Sequence, residues 1–281
     1  MKINKSFILW QLPLILIITS VSIFAYSLLS NRYRVEAIGQ GNKQDVQAAK
    51  PKPKPQQNIS FSVPTKFASS TLYQTELKKG EKYIALTFDD GPWGNTTDQI
   101  LNILRKNNIK ATFFMIGENV KTYPQQAKNV IADGNVIGNH TWHHWYRSMS
   151  PQLAASEIEN TANIIYQTTG AKTSLFRPPG GILTNGVATY ARNEKDAIVM
   201  WSDDSEDWRR PSTSTLVKRV VKQATPGGII LMHDGGGNRS NTVAALPQII
   251  NNLRQQGYKF VTIPQLLQIQ NQEQVAITAK K

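Results

Sequence analysis

The sequence predicts an α/β domain, and three observations carry that expectation. From Tyr83 onward, short apolar runs of strand length alternate with longer stretches of helical periodicity. Residues able to act as acids, bases or metal ligands recur where the apolar runs stop, not within them. No internal repeat interrupts this order. Strands separated by helical segments imply parallel pairing through crossovers, in a sheet either open or closed into a barrel.

The elements follow in order. Tyr83 to Phe88 reads as a buried strand, ended by Asp89-Asp90-Gly91-Pro92. Thr96 to Asn107 places Ile100, Ile103 and Leu104 on one side of a helix. Ala111 to Ile116 is a second strand, with Gly117 as its stop, and a helix around Tyr123–Ala132 leads to a short strand near Val136. Ser150-Pro151 supplies an N-cap and a first-turn proline for a longer helix running to Gly170. Further strands are expected near Ser174–Phe176, Ala197–Trp201, Ile229–Met232 and Phe260–Ile263, with helices at Leu216–Gln223 and Val243–Gln256. The domain is therefore placed at residues 81–270, followed by a polar tail at 271–281.

The N-terminal part differs in kind. Residues 7 to 29 are 23 positions without a charge, preceded by Lys2 and Lys5. A helix of that length spans roughly 34 Å, enough for a hydrocarbon core of roughly 30 Å. A cleaved signal would have a shorter apolar region and a small-x-small site, and Ile23-Phe24-Ala25 places bulk where a small residue belongs. Residues 1–30 are thus expected to be an uncleaved membrane anchor. Residues 31–80 are expected to be a linker, stiffened by Lys50-Pro51-Lys52-Pro53-Lys54-Pro55. Much of the net charge of +13 lies here: residues 1–80 hold 11 Lys/Arg against 3 Asp/Glu. Beside a membrane, such a tail favours anionic lipid or wall polymer. With no zinc finger, homeodomain or RNP pattern, nucleic acid is not the expected partner.

The chain has no cysteine, so disulfides, thiolate metal sites and a thiol nucleophile are excluded. Any metal must be held by His, Asp or Glu. All 4 histidines fall in two places: His140, His143 and His144 in one segment, and His233 at a strand end. His140 and His144 are four apart, so one helical turn would put both imidazoles on one face. Two histidines and one carboxylate leave an open position for water. Asp89 and Asp90 can serve one site only where the strand breaks, because strand neighbours point to opposite faces. Gly91-Pro92 supplies a break, although Asp-Gly is equally at home in a solvated turn.

These residues carry a resemblance. Thr87-Phe88-Asp89-Asp90-Gly91-Pro92, His140-Thr141-Trp142-His143-His144, Phe176-Arg177-Pro178-Pro179-Gly180, Trp201 through Asp204 to Asp207-Trp208, and Leu231-Met232-His233 resemble, in order, the five motifs of the NodB-like polysaccharide deacetylases, carbohydrate esterase family four. The resemblance covers about residues 83–265. It implies a distorted (β/α) barrel and metal-dependent removal of acetyl groups from N-acetylated sugars.

Carried over residue by residue, the resemblance makes Asp90, His140 and His144 the metal ligands. Asp89 becomes the base, held ionised by Arg177. His233 becomes the acid that protonates the leaving amine, oriented by Asp207, while Trp208 and Leu231 line the acetyl pocket. Zinc is the default metal, with cobalt, nickel and manganese also suited to imidazole and carboxylate. One position departs from the pattern: Gly180 stands where the family has Tyr. The backbone N–H that the family uses as an oxyanion donor is kept, but the aromatic side chain is lost, and a wider or more mobile mouth is expected. Trp93, Trp142, Trp145, Trp201 and Trp208 lie in or beside the motifs, where flat faces suit either sugar stacking or core packing. His143 is expected near the ligands or at the surface, and Asp203 is expected to be solvated.

The expected protein is a single-pass membrane N-deacetylase facing an extracytoplasmic glycan, either peptidoglycan or an exopolysaccharide. An O-acetyl polysaccharide esterase and an inactive glycan-binding protein on the same fold are the alternatives.

Overall fold

The computed structural model describes residues 58–278. The apolar run at 7–29 and the Lys-Pro run lie outside these residues. Among the described residues, no helix is long and apolar enough to cross a membrane.

The chain forms β1 (Ile59–Phe61), β2 (Thr71–Leu72), β3 (Tyr83–Asp89), α1 (Gly94–Lys106), β4 (Thr112–Met115), α2 (Gly117–Thr122), α3 (Pro124–Ala132) and β5 (Val136–Asn139). It continues with α4 (Pro151–Thr169), β6 (Ala171–Thr173), β7 (Leu175–Phe176), α5 (Val187–Asn193), β8 (Ala197–Val199) and β9 (Asp203–Asp204). Then come α6 (Thr213–Gln223), β10 (Ile229–His233), α7 (Ser240–Gln255), β11 (Lys259–Phe260) and α8 (Ile263–Thr278).

The principal sheet runs β2-β8-β7-β5-β4-β3-β10-β9, with β11 paired to the start of β3 and every pairing parallel. The sheet curls as a half-barrel, consistent with the (β/α) barrel that the resemblance implies. Alternation along β3 explains its two sides. Ile84, Leu86 and Phe88 join the layer formed with Ile100, Leu104, Ile249 and Leu253 of the helices. Ala85 faces the other way, into a cluster with Phe114, Val199 and the α8 residues Ile263, Leu266 and Leu267. One end of the half-barrel is thus filled by apolar side chains. The other end, at the strand C-termini, is left for polar ones.

Register does the positioning. Asp89 pairs with His233 and with Phe114, and Asn139 pairs with Phe176, so the last residues of β3, β10, β5 and β7 meet at one end of the sheet. The helix read from Ser150-Pro151 is capped as expected: the Ser150 side chain accepts from Leu153 N–H, and Gly170 closes the helix in a left-handed conformation with φ 75°.

Several expected boundaries are corrected. Asn58–Gly80, assigned to the linker, instead supplies β1 against β6 and β2 at the edge of the main sheet. The second strand ends before Gly117 as expected, but Gly117 also starts α2, and α5 had no expected counterpart. The strand near Ser174 is two short strands, Ala171–Thr173 and Leu175–Phe176. The strand expected at Phe260–Ile263 ends at Phe260, and Ile263 begins α8, which runs through the expected tail to Thr278. Strands of two or three residues are too short to show an alternation, so pairing partners decide them, not local pattern.

Candidate active site

Asp90 has φ 69°. This left-handed turn breaks the strand alternation, so the carboxylates of Asp89 and Asp90 both reach one cavity. Next to it, Gly91 cannot carry a side chain: a Cβ there would lie 2.1 Å from Asp234 Oδ2. Asp234 is fully buried, accepts from Thr97 Oγ1 at 2.6 Å, and donates its own N–H to Asp89 O at 3.1 Å. It therefore braces the turn that aims the two carboxylates, a part the sequence did not assign to it.

Asp89 is only 3% exposed. Its Oδ1 accepts from Arg177 Nη1 at 2.7 Å. Arg177 is wholly buried, and its remaining bonds go to Thr87 Oγ1 (2.8 Å), Val199 O (2.8 Å) and Met200 O (3.0 Å). The guanidinium also sits 4.1 Å from the Phe114 ring centre. Burial lowers the Arg177 pKa, opposed by the Asp89 charge and hydrogen bond. Removing either partner would leave an uncompensated buried charge, at a cost of about 3–5 kcal/mol.

His140 and His144 are not on a helix. Residues 140–149 form a loop with Thr141 and His144 at φ 66° and 61°. Side chains hold its backbone: Asn139 Oδ1 accepts from Thr141 N–H, Thr141 Oγ1 from His144 N–H, and Glu157 Oε2 from both Trp142 and His143 N–H. Glu157, 2% exposed on α4, also pairs with His143 Nδ1 at 2.5 Å. His143 is thus tied to the loop support, not to the cavity. The sequence signal for Glu157 was a lone charge among Ala154, Ile158, Thr161 and Ile165, the buried residues of its helix.

The cluster fits a divalent cation. His140 Nδ1 donates to Arg177 O at 2.6 Å, which turns the bare Nε2 towards Asp90 Oδ1, 3.5 Å away. His144 Nε2 lies 3.1 Å from the same oxygen, which is buried and has no hydrogen-bond partner. One donor atom from each of Asp90, His140 and His144 falls within 4.8 Å of the others. A buried carboxylate oxygen without a proton donor, facing two imidazole nitrogens, is a cation's ligand set. Burial would raise Asp90, but attraction to the neighbouring imidazoles more than offsets it and holds the carboxyl below its ordinary range. Burial, helped by His140, pulls His144 down to about 4, so it is neutral and able to ligate.

His233 stands on the neighbouring strand. Its Nδ1 bonds Asp207 Oδ1 at 2.6 Å, and its backbone N–H donates to Asp207 Oδ2 at 2.9 Å. Thr242 Oγ1 donates to Oδ2 at 2.8 Å, which fixes the carboxylate. Burial pulls the His233 pKa down, but the Asp207 hydrogen bond and charge outweigh it and raise it to about 9. Asp207 moves the other way: burial would raise it, and the His233 bond and charge hold it below its usual value.

Asp89, Asp90, His140, His144, Gly180, Leu231, Trp208 and His233 all line one cavity of about 580 Å³, joined there by Tyr146, Trp201 and Arg239. Arg177 and Asp207 lie behind this wall. Of the motif tryptophans, Trp201 and Trp208 line the cavity, whereas Trp145 stacks on His143 and carries the Arg147 guanidinium 4.2 Å from its ring centre. The mouth is not emptied by glycine at 180. A Cβ there would meet Tyr146 Cε1 at 3.0 Å, so the Tyr146 ring covers the space beside it.

Asp203 corrects another expectation. It is 1% exposed, not solvated, and neither carboxylate oxygen has a hydrogen-bond partner. Burial first, then the Asp204 charge, push its pKa from 3.8 to about 8. The folded protein keeps a proton that the unfolded chain releases, so stability falls as pH rises across that window. Asp203→Asn is expected to flatten the slope and to stabilise the protein at pH 8 by a few kcal/mol. Denaturant midpoints at about pH 5 and pH 8 read this. An equal effect at both values contradicts it.

With its curled parallel sheet and strand-end constellation, the chain falls, by the proteins it is similar to, among the hydrolases acting on carbon–nitrogen bonds. The polysaccharide deacetylase family model matches residues 76–196, and the chain belongs to that family. A peptidoglycan-N-acetylglucosamine deacetylase of Bacillus cereus is 42% identical over 194 residues, covering 68% of this chain and 91% of that one. The peptidoglycan-N-acetylmuramic acid deacetylase PdaC of Bacillus subtilis is 37% identical over 195 residues, covering 69% of this chain and 40% of that one. Among solved structures, a carbohydrate esterase family four pseudoenzyme from Bacillus anthracis is similar at 33% identity and TM-score 0.65, covering 71% of this chain and 69% of that one.

Proposed function

We propose that the chain is a metal-dependent N-deacetylase hydrolysing the acetamide of N-acetylglucosamine-type sugars in an extracytoplasmic glycan, peptidoglycan or exopolysaccharide. The observation that carries this reading is the placing of Asp89 and His233 side by side on paired strands, beside the Asp90/His140/His144 cluster.

A divalent ion held by Asp90, His140 and His144, zinc by default, would acidify water and polarise the acetamide carbonyl. The protein's own residues do the rest. Asp89, hydrogen-bonded to the Arg177 guanidinium, accepts the proton of the attacking water. The Gly180 N–H donates to the oxygen on which charge develops. His233, held as the imidazolium by Asp207, gives its proton to the nitrogen as the carbon–nitrogen bond breaks. Leu231 and Trp208 form the apolar wall for the acetyl methyl. An amine leaves poorly without that proton, so an acid opposite the base favours an amide over an ester as substrate.

The test is a pair of substrates: an oligomer of N-acetylglucosamine and an O-acetylated xylan. Acetate with an equal amount of free amine from the first, at a rate at least about tenfold above release from the second, supports the N-deacetylase. Preference for the xylan makes the chain an O-acetyl esterase. Retained glycan binding without acetate release from either makes it an inactive binder.

The uncharged run at 7–29 supports a single-pass anchor, and a glycan substrate places the domain outside the membrane. Mass spectrometry of the native protein is expected to find it membrane-bound with its N-terminus near Met1; a soluble form starting near residue 26 overturns the anchor.

A further inference from the structure

The cavity has an aromatic wall that neither the candidate catalytic residues nor the ligand cluster supplies. Tyr146 is 58% exposed although it lines the cavity. Its ring is fixed at two points. It stands edge-on to His144, with centroids 5.2 Å apart and planes at 69°, and it lies over Gly180. Gly180 has φ 59°, a left-handed conformation, and its missing side chain leaves room for the ring. Trp208 lines the same cavity and is 48% exposed, with Arg209 stacked 4.5 Å from its ring centre.

Exposed aromatic rings held at the mouth of a polar cavity suit a ligand with both hydroxyl edges and flat CH faces, the two sides of a pyranose ring. We propose that Tyr146 is a specificity-determining residue. Its ring binds a sugar unit flanking the one that reacts, which makes the site selective for oligomers over single sugars. Gly180 is the complement of that ring, because a Cβ at 180 would come within 3.0 Å of its Cε1 and oblige the ring to shift. The inference rests on the deacetylase reading for its substrate class, β-linked N-acetylated sugars, and on geometry for the residue.

The experiment uses the full chain loaded with zinc and compares single N-acetylglucosamine with its β-1,4-linked tetramer. Tyr146→Ala is expected to raise KM for the tetramer about tenfold, and KM for the single sugar by less than about threefold, with kcat affected less than KM. Metal content stays at the level of the unaltered protein. Tyr146→Phe keeps the ring and restores tetramer KM to within about threefold. Gly180→Ala raises tetramer KM when Tyr146 is present and adds little to Tyr146→Ala, so the two effects are not additive. Equal loss on both substrates, or loss of metal, overturns the proposal and makes the ring a mere support for His144. If the unaltered protein releases no acetate at all, the deacetylase reading fails on its own. Equilibrium binding of the tetramer then decides the role of Tyr146: about tenfold weaker binding in Tyr146→Ala upholds it, and unchanged binding overturns it.

Discussion

A His144→Ala protein is expected to lose both its stoichiometric metal and its turnover, with acetate release slowed at least about 1,000-fold, or about 4 kcal/mol of barrier. His144 offers one of the three donor atoms that face one another, and the remaining two, from Asp90 and His140, give no more than a bidentate hold. The loop would survive the change, because its backbone bonds go to Asn139, Thr141 and Glu157, not to the imidazole of His144. His143→Ala is the control. That imidazole points to Glu157, so the variant is expected to retain its metal and to lose less than about tenfold in rate. Metal analysis beside acetate assays reads both. A His144→Ala protein with full metal and normal turnover contradicts the ligand assignment.

The second large effect concerns the acid. His233→Ala is expected to slow N-acetyl hydrolysis by about 10²–10⁴, while an activated aryl acetate, whose leaving group needs no proton, is slowed by far less. The pH profile carries the sign. His233 works protonated, so activity is present below its raised pKa of about 9 and is lost as pH rises through that value. Asp207→Asn removes the charge that holds the proton, and the alkaline limb is expected to move to lower pH. Equal loss of amide and ester hydrolysis in His233→Ala, or an alkaline limb that does not move in Asp207→Asn, contradicts the assignment.

Much of this site was legible because it lies at strand ends. The carboxylates before Gly91 and the histidine closing β10 declare themselves as polar residues at the close of apolar runs. Parallel register then brings Asp89 and His233 together. The His140–His144 loop was not legible in shape. Four-residue spacing is ambiguous between a helical turn and a loop, and left-handed Thr141 and His144 decide for the loop. Glu157 was hidden because two of its three partners are backbone N–H groups, which any sequence supplies. Tyr146 was hidden because its meaning depends on a glycine distant in sequence. Asp203 was misread because adjacency to Asp204 suggests solvent, whereas its place on β9 beside Ile230 buries it. Strands β1 and β2, of three and two residues, owe their existence to the edges they join.

On the proposed reading, one metal ion held by Asp90, His140 and His144 makes this cavity a deacetylase. Metal-free protein titrated with zinc, with acetate release from an N-acetylglucosamine oligomer as the readout, tests it most directly. Activity is predicted to be absent at the start, to rise in proportion to added zinc, and to stop rising at one equivalent per chain. Acetate release by the metal-free protein, or a break at two equivalents, would contradict it.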